Sequence, residues 1–113
     1  PYFSMAVILH NKGQYEAAIP LYRKYLETHR GHLEAYANLS YAYFQMKDYN
    51  NAIAVNKEAL AVDPQAFNPA FNIAKTFMAM QQPDSALYYL KVAQKIDPNH
   101  SDVNALVNQM EHK

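Results

Sequence analysis

The chain has 113 residues, half of them apolar, with ten basic residues against ten acidic ones. That length and apolar content fit one compact domain with a continuous core and exclude a disordered tail. Zero net charge gives no basic surplus to draw a phosphate backbone or an anionic membrane surface, no apolar run approaches the roughly 20 residues of a membrane span, and the absence of cysteine excludes disulfides and thiolate-bound metals.

Glycine occurs only at Gly13 and Gly31, too sparsely for the turns of a sheet protein of this size. Ala, Leu, Tyr, Lys and Gln recur at helical intervals, and ten tyrosines supply rings to fill the space between packed helices. The chain opens at Pro1 with no initiator methionine and no visible signal peptide, which points to a processed protein or an excised piece.

In chain order, the first unit spans residues 1–32. Its first helix carries Tyr2, Met5, Ala6 and Leu9 and starts without a polar cap, which suggests a slice of a longer array or an exposed stacking face. Its second helix carries Ala18 and Tyr22. Pro20, near the end of that helix's first turn, is expected to bend or shorten it, and Gly31 is expected to stop it.

The second unit, 33–66, places Tyr36, Leu39, Ser40 and Tyr43 on one stripe and Ala52, Asn56, Ala59 and Leu60 on the facing stripe of the next helix. The break falls at Lys47-Asp48, where Asp48 can cap the second helix. The third unit, 67–100, starts with Asn68 as the expected cap, followed by Pro69, and uses Pro83 just inside its second helix. Asp63-Pro64 and Asp97-Pro98 end the second helices, because a residue before proline is pushed out of the helical region. Residues 101–113 form a capping helix with Val103, Leu106, Val107 and Met110 on one stripe.

Shifted by 34 residues, the sequence lands on itself. Seven positions are identical between 33–66 and 67–100: Asn38/Asn72, Met46/Met80, Ala52/Ala86, Lys57/Lys91, Ala59/Ala93, Asp63/Asp97 and Pro64/Pro98. The period and pattern resemble the tetratricopeptide repeat family, whose helix–turn–helix unit has an aromatic, a leucine–small pair, a tyrosine, an alanine, a large apolar residue and a proline. The middle unit carries this as Tyr36, Leu39-Ser40, Tyr43, Ala52 and Pro64. The third has Ile73-Ala74, Phe77, Ala86, Leu90 and Pro98, and the first Tyr2, Met5-Ala6, Leu9, Ala18 and Tyr22. Four positions depart from it: Ala70, Asn56, Tyr25 and Arg30. The resemblance implies a single all-α domain over 1–113, a helix–turn–helix repeat solenoid of three repeats and a C-terminal helix.

In such a solenoid the first helix of each pair lines the concave side. The expected peptide-binding set there is Phe3, Val7, His10, Asn11, Asn38, Tyr41, Gln45, Phe71, Asn72 and Lys75, with Met78 as a further contributor. Large apolar residues on a face normally filled with charge mark a binding patch. Some relatives grip a terminal carboxylate with lysine, arginine and asparagine; Phe3, Val7 and Asn72 stand in three of those places and Asn38 alone matches, which argues against that clamp.

Five histidines supply no converging ligand set of zinc-site spacing, so solvated turn and helix-end roles are expected for them, and no metal or cofactor is expected. No nucleophile–histidine–acid signature and no phosphate-cradling glycine loop occurs, so the chain reads as a non-enzyme. Two function classes follow. The first is an adaptor binding a protein or peptide in the concave groove. The second is an assembly module, self-associating through its N-terminal face or joined to further repeats. RNA binding is disfavoured by neutral charge and by the 34-residue period, and neither nucleic-acid binding nor membrane insertion is expected.

Overall fold

The computed structural model describes residues 1–112, and among them lie seven α-helices and no strand. They are α1 (Tyr2–Asn11), α2 (Tyr15–Leu26), α3 (Leu33–Gln45), α4 (Tyr49–Val62), α5 (Phe67–Ala79), α6 (Pro83–Ile96) and α7 (Ser101–Glu111). Each helix packs on the next, and first helices also touch the first helix of the following pair. The molecule measures 47 × 25 × 20 Å, elongated along the stack. The chain is thus an all-α helical solenoid.

The helix ends follow local chemistry. The Asp48 carboxylate accepts from the Asn51 backbone N–H at 3.4 Å and from its side-chain amide at 2.7 Å, capping α4. Pro83 is the first residue of α6, where its missing N–H has no partner to lose. Asp63 and Asp97 terminate α4 and α6 with non-helical backbone and accept from the backbone N–H two residues on.

Three end signals behave differently from expectation. Helix α5 starts at Phe67 after Ala66, so Asn68 lies inside its first turn; Pro69 is tolerated there because first-turn N–H groups have no intrahelical acceptor. Helix α2 ends at Leu26, well before Gly31, whose φ is not positive. The Thr28 hydroxyl donates to the Tyr25 carbonyl at 3.4 Å and His29 Nδ1 lies 3.1 Å from it, so side chains close that end. Helix α2 also runs unbroken through Pro20: at 12 residues it is two shorter than α4 and α6, but the loss is at its C-terminal end. The bond that Pro20 removes would have reached the carbonyl of exposed Glu16, which water can satisfy.

The turns inside the pairs share one device. Gly13, Lys47 and Gln81 have φ of 76°, 60° and 59°, and they stand 34 residues apart. In each case the next residue's N–H reaches back to the first helix at 2.9 Å: Gln14 to Leu9, Asp48 to Tyr43, Gln82 to Phe77. This is the six-to-one bond of a Schellman closure, with the left-handed residue just past the helix end.

The core forms two clusters. The first gathers Ala6, Ala18, Tyr22, Leu26, Ala35, Tyr36, Leu39, Val55 and Ala59, and the second Ala70, Ala74, Leu90, Ala93, Val103 and Val107. Alanine at the crossing points lets helices approach closely, while the large residues fill the space between them. Leu106 and Met110 pack on the second cluster beside Val103 and Val107, so α7 covers the last repeat with its whole apolar stripe. Two ion pairs tie non-consecutive or terminal elements: Arg23 to Glu58 at 3.0 Å between α2 and α4, and Lys91 to Glu111 at 2.6 Å between α6 and α7. Their exposure makes them minor contributors beside the burial.

Candidate concave groove

A cavity of about 560 Å³ opens on the face formed by the first helices. Helix α3 contributes Ala37, Asn38, Ser40, Tyr41, Phe44 and Gln45, successive positions of one helical face; α5 adds Asn72, Lys75 and Thr76; α1 adds His10. The floor includes Asn56, reaching in from α4. Six residues of the sequence-based set therefore meet here: His10, Asn38, Tyr41, Gln45, Asn72 and Lys75.

The other four stand outside the lining. Phe3 packs against Tyr22, Tyr25 and His32, with ring centroids 6.2, 5.0 and 4.8 Å away. Val7 lies half-buried on the first core cluster, and Asn11 is exposed at the end of α1. Phe71 packs against Phe67 and His100, but its face meets the groove indirectly: Lys75 Nζ sits 4.5 Å from its ring centroid. Met78 points instead to a separate hollow with Leu106 and Met110.

The polar chemistry of the cavity is uneven. Ser40 donates to the Ala37 carbonyl at 3.1 Å and Thr76 to the Asn72 carbonyl at 2.7 Å, so both hydroxyl protons are used within their own helices. His10 Nδ1 and Asn56 Oδ1 are buried with no hydrogen-bond partner. The Tyr22 hydroxyl is buried near the Asn38 side chain, close enough for that amide to lower its pKa but without hydrogen-bond geometry to it. Burial lowers the pKa of His10 from its ordinary 6.5, so its ring is neutral at pH 7. Tyr15, Tyr22 and Tyr41 surround that ring at 5.2, 5.9 and 5.3 Å. Lys75 brings the cavity's formal positive charge, and no carboxylate of the described residues lines it.

Sequence reasoning placed the first-helix residues but missed Ser40, Thr76 and Asn56 as lining groups. For Asn56 the signal was present: a polar residue on an inward stripe where the equivalent positions carry Tyr22 and Leu90. The histidines also differ from the solvated picture. His29 and His112 are exposed, but His32 Nδ1 lies 2.6 Å from the Tyr25 hydroxyl, and His100 Nδ1 accepts from the Val103 N–H at 3.3 Å as the cap of α7. No three His, Asp or Glu side chains converge among the described residues as a metal site requires. None of the described helices is long and apolar enough to cross a membrane.

Comparison with known proteins agrees with the repeat geometry. The sequence matches the tetratricopeptide repeat model over residues 9–56 and 44–110. No curated protein sequence matches it significantly. Among solved structures, the first TPR of Spaghetti (RPAP3) bound to the HSP90 peptide SRMEEVD superposes with a TM-score of 0.81 at 18% identity, covering 96% of this chain and 86% of that one. The Yersinia enterocolitica type III secretion chaperone SycD, in complex with a peptide of the translocator YopD, gives 0.86 at 17% identity, covering 97% and 89%. The second TPR domain of human RPAP3, in complex with the HSP70 peptide SGPTIEEVD, gives 0.83 at 15% identity, covering 99% and 93%. At such identities the likeness is one of fold. The 34-residue period, the paired helices and the family match together place the chain in the tetratricopeptide repeat family.

Proposed function

We propose that the chain is a protein-interaction module that holds an extended peptide or protein segment in its concave groove. One observation carries the reading: His10 and Asn56 belong to the lining of a cavity of about 560 Å³, and each keeps a buried polar atom just beneath that surface with no partner among the described residues. Native proteins pair buried polar groups, so atoms left over at a concave surface suit a ligand. The RPAP3 domains and SycD, which share the fold, are complexes with peptides, and this supports the same use here. Asn38 and Asn72, equivalent residues on α3 and α5, each offer a donor and an acceptor, which is what an extended backbone presents at regular intervals. No catalytic set is assigned.

The test is binding of short peptides selected from a random library, titrated against the wild-type chain and against Asn38→Ala combined with Asn72→Ala. Weaker binding at unchanged helicity and melting supports the groove. Unchanged affinity removes both residues from the site.

A second reading, self-association, draws on α1. Tyr2, Met5 and Ile8 are 44%, 52% and 55% exposed, whereas their repeat equivalents Tyr36, Leu39 and Ala42 are buried. In this reading a second copy of the chain covers that stripe.

A further inference from the structure

The inward position shared by the three second helices is filled by Tyr22 in α2, Asn56 in α4 and Leu90 in α6. Tyr22 and Leu90 are fully buried and belong to the two core clusters; Asn56, 2% exposed, belongs to neither. The middle repeat therefore has a short polar side chain where its neighbours have bulk, and the cavity lies over it. Small residues, Ser40 and Thr76, share that stretch of the lining from α3 and α5.

The floor's hydrogen-bonding capacity is specific. Ser40 and Thr76 have spent their protons on their own helices and present lone pairs. Asn56 Oδ1 has no partner, and turning the amide over would put an unpaired N–H₂ in its place. The group that best complements the Asn56 carboxamide offers one donor and one acceptor side by side. It must also be neutral. An ammonium or guanidinium would meet Lys75 with no carboxylate in the lining, and a carboxylate could pair with Lys75 at the rim but would face acceptors at the floor. An apolar side chain would leave Asn56 buried and unpaired.

We propose that the hollow over Asn56 is a side-chain pocket for a carboxamide, the side chain of a Gln or Asn in an extended segment lying in the groove. The pocket rests on the groove reading above and adds the chemistry of what enters it. Asn56 is its recognition group, pairing amide to amide. Lys75, held over the Phe71 ring at the rim, favours an acidic residue next to the inserted one.

The experiment uses the full chain and a phage-displayed library of short random peptides. Peptides enriched on the wild-type chain are synthesised and titrated against wild type, Asn56→Leu, Asn56→Ala and the Asn38→Ala, Asn72→Ala double variant. The expected result is enrichment of Gln or Asn at one fixed position. Replacing that residue by Leu weakens binding to wild type by about tenfold to a hundredfold. Asn56→Leu, which fills the hollow, and Asn56→Ala, which keeps it but removes the amide, both lose the preference for the carboxamide peptide over its Leu analogue. If enriched peptides need Asn38 and Asn72 but show no carboxamide preference, or keep that preference on Asn56→Ala, the pocket assignment is wrong and the groove stands. If no peptide is enriched, or binding survives every groove substitution, the groove reading fails and the pocket with it.

Discussion

Tyr22 and Asn56 stand at the same position of successive repeats, 34 residues apart, and each buries an oxygen that has no hydrogen-bond partner. Burial pushes the Tyr22 phenol pKa up, while the neighbouring Asn38 side chain pulls it the other way. An unpaired buried polar atom costs about 1–3 kcal/mol. Asn56→Leu, which restores the bulk carried by Leu90, should raise stability by about 1 kcal/mol or more, and Tyr22→Phe should be neutral or stabilising by up to about 1 kcal/mol. Urea denaturation of the unliganded chain checks both. A clear loss in either variant would reveal a polar contact that the native state depends on.

The left-handed turn residues give a second prediction. A Cβ added at Gly13 meets nothing within 4 Å, so Gly13→Ala probes the backbone alone. It should destabilise by about 1 kcal/mol, the cost of placing a side chain at φ of 76°. Lys47→Gly and Gln81→Gly relieve the same cost in the other two turns and should each stabilise by up to about 1 kcal/mol, less the chain entropy that glycine adds to the unfolded state. Thermal melts of the three single variants decide the sign at each turn.

The apolar stripe of α1 is testable without a ligand. If a second copy covers Tyr2, Met5 and Ile8, sedimentation should show mass rising with concentration. Met5→Glu with Ile8→Lys should then hold the chain monomeric at unchanged helicity, since both side chains are more than half exposed. A wild-type chain that stays monomeric at high concentration would rule out this stacking.

The repeat was legible because packing imposes it. Each alanine at a helix crossing must recur wherever the next crossing falls, as Ala18, Ala52 and Ala86 do. The turn device was less legible, because Lys47 and Gln81 adopt a conformation that only Gly13 advertises by residue type. The end of α2 was hidden for another reason: Thr28 and His29 close it through side chains whose contacts depend on where Tyr25 packs. In the groove, periodicity gave the α3 and α5 face but could not show that Phe3 turns toward Tyr25 and His32. Nor could it show that a second-helix residue, Asn56, forms part of the floor, since that requires knowing what Ser40 and Thr76 leave uncovered.

His10 gives the pH dependence a defined direction. Its ring lies among Tyr15, Tyr22 and Tyr41, Nδ1 is buried without a partner, and burial lowers its pKa below the ordinary 6.5. As pH falls, the unfolded chain takes up this proton first, so stability falls with it. The contribution of neutral His10 is present above pH 6.5 and is lost as pH drops from there through the lower folded-state pKa; below that it is flat. His10→Gln cannot titrate, so the difference in unfolding free energy between wild type and variant should be constant at neutral pH and move against the wild type on acidification. Urea denaturation across about pH 5 to 8 measures it. The same protonation places a second positive charge in a cavity that already holds Lys75, so affinity for a selected peptide bearing an acidic residue should rise on mild acidification in wild type but not in His10→Gln. A stability difference that does not change with pH would mean that His10 keeps its ordinary affinity for protons in the folded chain.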